Sequence, residues 1–168
     1  MKKTLVIVVV LLGFSQITFS QSKKELKEEK AIQEYQVTKE LINSKQYVFD
    51  ADWISTTRGI RINIAGGSNR IAVVQDSAKA SMQFFGEVTS IRFDDGEGVE
   101  FNNKMEDYEV KFNDEKRRIT VSFKAKFKSE TYNIYMSITK SGTTYVDVNS
   151  NNKRSVTYDG RITAITIE

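Results

Sequence analysis

Two carboxylate pairs, Asp50 with Asp52 and Asp94 with Glu97, and two Ser-x-x-Lys spacings, Ser137 with Lys140 and Ser150 with Lys153, are where chemistry would have to begin in this sequence. Carboxyl groups held about 5 to 9 Å apart hydrolyse glycosides, one as acid and the other as base or nucleophile. A lysine beside a serine can activate its hydroxyl. Each pattern also has a plainer reading. Asp50 and Asp52 alternate with Phe49, Ala51 and Trp53, which puts them on the wet face of a strand. Asp94-Asp95-Gly96-Glu97 reads as an acidic hairpin turn, and its glycine stands where an EF-hand loop needs its third ligand. Both Ser-x-x-Lys spacings fall at turns. Histidine and cysteine are absent, which removes the commonest general base, the commonest zinc ligand, the thiolate nucleophile and every disulfide. We expect no catalysis, no metal and no cofactor.

The elements that must position any site are strands. From Asp107 to Ile167 the chain reads as strand, turn, strand, with Tyr108, Val110 and Phe112 alternating with charged residues. Ile119, Val121, Phe123, Ala125 and Phe127 follow, then Tyr132, Ile134, Met136 and Ile138, then Val146 and Val148, then Val156 and Tyr158. Period-two alternation marks strands with one buried face. Upstream, Gln46 to Trp53 alternates Tyr47, Phe49, Ala51 and Trp53 as a first strand, Thr56 to Gly59 is a turn, and Ile60, Ile62 and Ile64 alternate next. Gly66-Gly67-Ser68-Asn69 connects to a short strand at Ile71 to Val74. No helix start or Gly-Lys-Ser/Thr follows the glycine pair, so it is a turn and not a phosphate cradle. Ser77 to Phe85 reads as loop, and Val88 to Phe93 and Gly98 to Phe101 as short strands.

Paired residues must share a face, so parity constrains the hairpins. Ile138 and Val146 are both even, which requires an odd loop, and Lys140-Ser141-Gly142 fits with Gly142 left-handed. The same argument gives Asn151-Asn152-Lys153 between Val148 and Val156, and an even loop, Lys128 to Thr131, between Phe127 and Tyr132. At Asp159-Gly160 parity leaves two inward sets open, Ile162 with Ala164 or Ile165 with Ile167. Tyr135 and Tyr145 then lie on the polar face as diagonal neighbours across one hairpin. Roughly ten or eleven strands curl or close. The expected fold is mainly β, an antiparallel meander curled into a barrel behind one N-terminal helix. A two-sheet sandwich is the alternative.

The first twenty residues carry a different signal. Lys2 and Lys3 precede an apolar run from Leu5 to Phe14, and Thr18-Phe19-Ser20 ends in a small residue, which together predict a secretory signal peptide. The run is about half of the roughly 20 residues that a membrane span needs. The mature chain is expected to begin near Gln21 as one soluble domain of about 148 residues. No cysteine follows the run, so lipid attachment there is not expected. Loss of Lys2 and Lys3 leaves a net charge of about +1 with no basic stripe, which argues against nucleic acid. The predicted organisation is signal peptide over residues 1–20, helix over 21–45 and antiparallel β domain over 46–168. Ser22 with Glu25 has the form of a capping box, and Ile32, Tyr35, Val37, Leu41 and Ile42 form the stripe that would pack on the sheet.

Met82-Gln83-Phe84-Phe85-Gly86 and Tyr158-Asp159-Gly160-Arg161-Ile162 resemble a bacterial exported family, domain of unknown function 4251. Tyr47 to Ala51, Gly98 to Phe101, Tyr108 to Val110 and Val148 to Arg154 match in the same order over most of the mature chain. Where that family commonly has Leu-Pro-Tyr-Phe-Gly, this chain has no proline. The resemblance implies a lipocalin-like β fold and brings no catalytic residues.

Two functions remain. A small barrel can hold a hydrophobic ligand in a pocket, which Phe84, Phe85, Phe101, Phe112, Phe123, Phe127 and Tyr132 would line. Alternatively the protein is a non-catalytic component of the cell envelope, periplasmic or extracellular, that meets a protein partner through the charged helix at Lys23 to Lys30 or through Tyr135 and Tyr145. The second is the expected function.

Overall fold

In the computed structural model the described residues are 2–89 and 98–165, with side chains from residue 22 onward. They form α1 (Lys2–Ser44), β1 (Gln46–Thr56), β2 (Arg61–Asn63), β3 (Arg70–Val74), β4 (Ser77–Met82), β5 (Val99–Lys104), β6 (Glu106–Asn113), β7 (Arg118–Phe127), β8 (Glu130–Thr139), β9 (Thr143–Ser150) and β10 (Val156–Ala164). The strands make one antiparallel sheet in the order β5-β4-β3-β1-β10-β9-β8-β7-β6, with β2 paired to β1 outside this path. The first and last strands are neighbours, and the two edges, β5 and β6, are joined by Met105 alone. Laid flat, nine strands would separate their outer edges by roughly 38 Å, and a single residue spans about 3.5 Å. The sheet must therefore curl until β5 lies against the end of β7, where the Asn103 side-chain amide donates to the Lys126 carbonyl, which makes a nearly closed up-and-down barrel.

The alternation predicted for the second half of the chain places the core. Ile119, Val121, Phe123 and Ala125 of β7 stand opposite Ile138, Met136, Ile134 and Tyr132 of β8, all of them buried. The β8–β9 connection is residues 140–142, with Gly142 at φ 82°. The β7–β8 loop is even, as parity requires, but shorter than expected at Lys128-Ser129, so Phe127 pairs with Glu130. Between β9 and β10 the connection is residues 151–155, still odd, because Lys153 leaves the ladder to bridge Val88.

Three elements differ from the sequence reading. Ser77 to Met82 is strand β4 and not loop. Its inward residues are Ala78, Ala80 and Met82, and two alanines give little hydrophobic contrast against Lys79 and Ser81. Asp159-Gly160 is no turn, because β10 runs through it, paired with β9 on one side and β1 on the other. A Cβ at Gly160 would stand 2.0 Å from the Asp50 carbonyl oxygen, so the glycine permits close strand approach. Of the two inward sets considered at that point, the buried residue is Ile162, whereas Ala164 is exposed. Finally, the register of β1 shifts between Ala51 and Trp53, and this bulge turns Ile54 inward in place of Trp53. Of the expected strand from Val88 to Phe93, Val88 makes a single isolated bridge to Lys153, while its continuation beyond Thr89, the Asp94–Glu97 turn and Ile167 lie outside the described residues.

The helix docks differently from the predicted stripe. Ala31, Tyr35, Thr38 and Ile42 are buried, whereas Ile32 and Val37 are exposed. Spacings of four, three and four follow one helical face, and the inclusion of Ala31 and Thr38 hid it from a purely apolar reading. The helix extends through Ser22, which is therefore not its N-cap. Among the described residues no helix is long and apolar enough to cross a membrane.

Candidate functional site

One end of the barrel is closed by α1. Thr38 Oγ1 donates to the Lys140 carbonyl at 2.8 Å and Tyr35 OH to Asp114 Oδ1 at 2.9 Å. Lys39 pairs with Asp114 at 2.8 Å, Lys140 with Glu34 at 2.5 Å, and Arg117 with Glu28. These bonds tie the helix to the β6–β7 and β8–β9 turns, and Ile42 beneath them is wholly buried.

The bonds also make the docking sensitive to pH. The Lys39 ammonium, and after it the Tyr35 hydroxyl, hold the Asp114 carboxyl below the usual carboxylate range. Lys140 does the same for Glu34. Burial and then Asp114 push the Tyr35 hydroxyl up to about 12. Depressed carboxylates contribute above their unfolded values and lose that contribution as pH falls through their folded ones. A raised tyrosine contributes below its unfolded value near 10 and loses its contribution as pH rises toward 12. Amide shifts of Thr38 and Ile42 should therefore be constant from about pH 5 to 9 and move toward undocked positions beyond both limits. Unchanged shifts down to pH 2 would contradict this.

At the other end a charged cluster is buried. Glu130 and Lys153 are 2% and 4% exposed, and Lys153 Nζ lies 2.7 Å from Glu130 Oε2. Tyr132 OH donates to the same oxygen at 2.8 Å, and Ser150 Oγ donates to Glu130 Oε1 at 2.5 Å. Lys153 Nζ also donates to Tyr132 OH at 3.2 Å and stands 5.8 Å from the centre of the Phe84 ring. Asn69, also buried, accepts from the Gln83 amide and donates to the Ile64 carbonyl, and Tyr158 OH donates to the Gln83 carbonyl at 2.8 Å. Buried charges survive only when paired and fully hydrogen-bonded, and here β8, β9 and the β9–β10 loop each contribute a partner. A surface cleft of about 510 Å³, lined by Ser68, Ser81, Gln83, Phe85 and Glu100 among others, opens beside the cluster.

The candidate ring set is split. Phe101, Phe123 and Tyr132 are buried in mutual contact, with centroids at 6.3 Å for Phe101–Phe123 and 5.7 Å for Phe101–Tyr132. Tyr108, which was not in the set, stacks on Phe123 at 6.3 Å. Phe84 and Phe127 are half-buried at the periphery, while Phe85 and Phe112 are exposed. The inner rings thus touch in a chain, Tyr132 to Phe101 to Phe123 to Tyr108. Tyr135 and Tyr145 lie on the outer face, where Tyr135 is opposite Asp147 and Tyr145 is opposite Ser137, so the two are diagonal neighbours, each about half exposed.

The chemistry-bearing pairs do not converge. Asp50 binds Arg70 at 3.0 Å, while Asp52 stands at the bulge. Lys140 is occupied by Glu34, and Ser150 and Lys153 both bond Glu130, while Ser150 Oγ meets the Lys153 backbone amide and not its ammonium. Sequence reasoning missed Glu130, although it shares parity with Tyr132, Ile134, Met136 and Ile138 and so had to face inward.

The fold and this end define a class, an up-and-down β-barrel with packed aromatics inside, a helix over one end and a sealed polar cluster at the other. The chain belongs to the family described as domain of unknown function (DUF4251), whose profile matches residues 29–162. A crystal structure of a DUF4251 family protein from Bacteroides eggerthii is similar, with a TM-score of 0.61 and 16% identity over 78% of this chain and 87% of that one. No curated protein matches the chain.

Proposed function

We propose that this is an exported, non-catalytic protein of the cell envelope that acts through its outer surface by contact with another protein. The observation that carries this reading is the ring contact among Phe101, Phe123 and Tyr132, which occupies the space a hydrophobic ligand would need. Export is supported by the position of the docking contacts. Among the described side chains they begin at Glu28, downstream of the expected cleavage after Ser20. The charged, exposed helix segment at Lys23 to Lys30 and the Tyr135/Tyr145 face are the surfaces available to a partner.

Photo-crosslinking residues placed at Leu26 and Tyr145 in the native host test this directly. At least one position should yield a discrete protein adduct of a mature chain that begins near Gln21. Intact, processed protein with no adduct from either position, or an uncleaved chain retained in the cytoplasm, would overturn the reading.

A further inference from the structure

We infer that β6 is a self-complementary edge through which two copies of this chain pair antiparallel to form a dimer. Unlike every strand between the two edges, β6 bonds among the described residues to one neighbour only, β7. Its outer row of backbone N–H and C=O groups is left as a template for another strand. Residues that face the interior by register are also incompletely covered along it. Val110 stands opposite Val121 and Phe112 opposite Ile119, yet Tyr108 and Val110 are only half-buried and Phe112 is 37% exposed. The Lys39 and Lys45 ammonium groups lie over the Phe112 and Tyr108 rings, at 5.0 and 4.8 Å. The seam has lysine stems across it where a closed barrel would have another strand.

Charge selects the occupant. Two copies of one strand related by a two-fold axis place residue i opposite j and j opposite i, and shared faces require i and j to have the same parity. Centring the axis on Val110 sets Glu109 opposite Lys111 twice and Tyr108 opposite Phe112 twice. Centring it on Glu109 or Lys111 sets like charges opposite each other, and centring it on Tyr108 sets Asp107 against Glu109. Of these, the Val110 register alone pairs opposite charges without setting like charges against each other, with aromatic pairs on the adjacent face. Within one chain Glu109 and Lys111 already pair at 3.0 Å on the exposed face, so dimerisation exchanges partners without burying a new lone charge. The bulge between Glu106 and Glu109 guards the start of the strand against other partners. A second copy satisfies that restriction by its register.

The inference goes beyond the envelope function and can fail without it. Sedimentation equilibrium of the mature protein should show a monomer–dimer equilibrium. Glu109→Lys alone and Lys111→Glu alone should each weaken association at least about tenfold, since each reversal creates two like-charge pairs per dimer. Mixing the two variants should restore association, because the heterodimer regains both opposite-charge pairs. Both positions are exposed, and unchanged circular dichroism would show that the barrel survives. A wild type that stays monomeric at 100 μM, or a dimer indifferent to both reversals, would overturn the inference.

Discussion

Lys153→Met is expected to lower the stability of the barrel by about 3–5 kcal/mol, the usual cost of removing one partner from a buried ion pair. For a chain of this size that corresponds to a fall in melting temperature of roughly 10 °C. The methionine keeps most of the stem volume, so the loss comes from Glu130. Its carboxylate would remain 2% exposed with, among the described residues, the Tyr132 and Ser150 hydroxyls to satisfy it. Replacing Glu130 with leucine as well as Lys153 with methionine should recover more than half of the loss, since no buried charge then remains. Urea denaturation reads both effects. A single variant that costs less than 1 kcal/mol would mean that water reaches the pair and that this end of the barrel is open.

Phe101→Ala is expected to cost a similar amount, about 3–5 kcal/mol. Phe101 is 2% exposed and meets both Phe123 and Tyr132, so truncation leaves a void that rigid strands on either side cannot collapse. Phe85→Ala should cost no more than about 0.5 kcal/mol, because its ring is half in water. The contrast discriminates between functions. In a barrel built around a ligand, rings lining the pocket contact the ligand more than each other, and losing one from the empty protein would be cheap. A small effect at Phe101 would therefore count against the packed interior.

What the sequence disclosed depended on contrast. Strands β7, β8 and β9 were legible because large apolar residues alternate with charged or polar ones and because Gly142 marks a turn that parity independently requires. Strand β4 was not, because alanine at positions 78 and 80 carries its inward face. Gly160 left the inward set open because glycine serves two backbone purposes, a turn or a close approach, and only the neighbouring strand decides between them. The helix was legible as a helix, but not its docked face, because Thr38 and Ala31 are buried there and Ile32 and Val37 are not. Among the predicted site residues, the diagonal relation of Tyr135 and Tyr145 followed from register alone. The seven candidate lining residues could not be sorted that way. Parity tells which face a ring occupies, but whether rings meet or enclose a space depends on how tightly the sheet curls. The Glu130–Lys153 pair went unread: the parity of Glu130 marks it as inward-facing, but the sequence reading placed that residue in the loop from Lys128 to Thr131. Lys153 reaches it from a loop residue that has left the ladder, and no periodicity predicts that.

Native mass spectrometry of the mature protein, exported by its own signal and compared before and after organic extraction, tests the central claim most directly. A packed interior and an outer-surface function predict a polypeptide mass with nothing bound in either sample, at whatever copy number the β6 edge supports. An added mass of a few hundred daltons per chain, present before extraction and lost after it, would contradict the account and identify the barrel as a carrier of a small hydrophobic molecule.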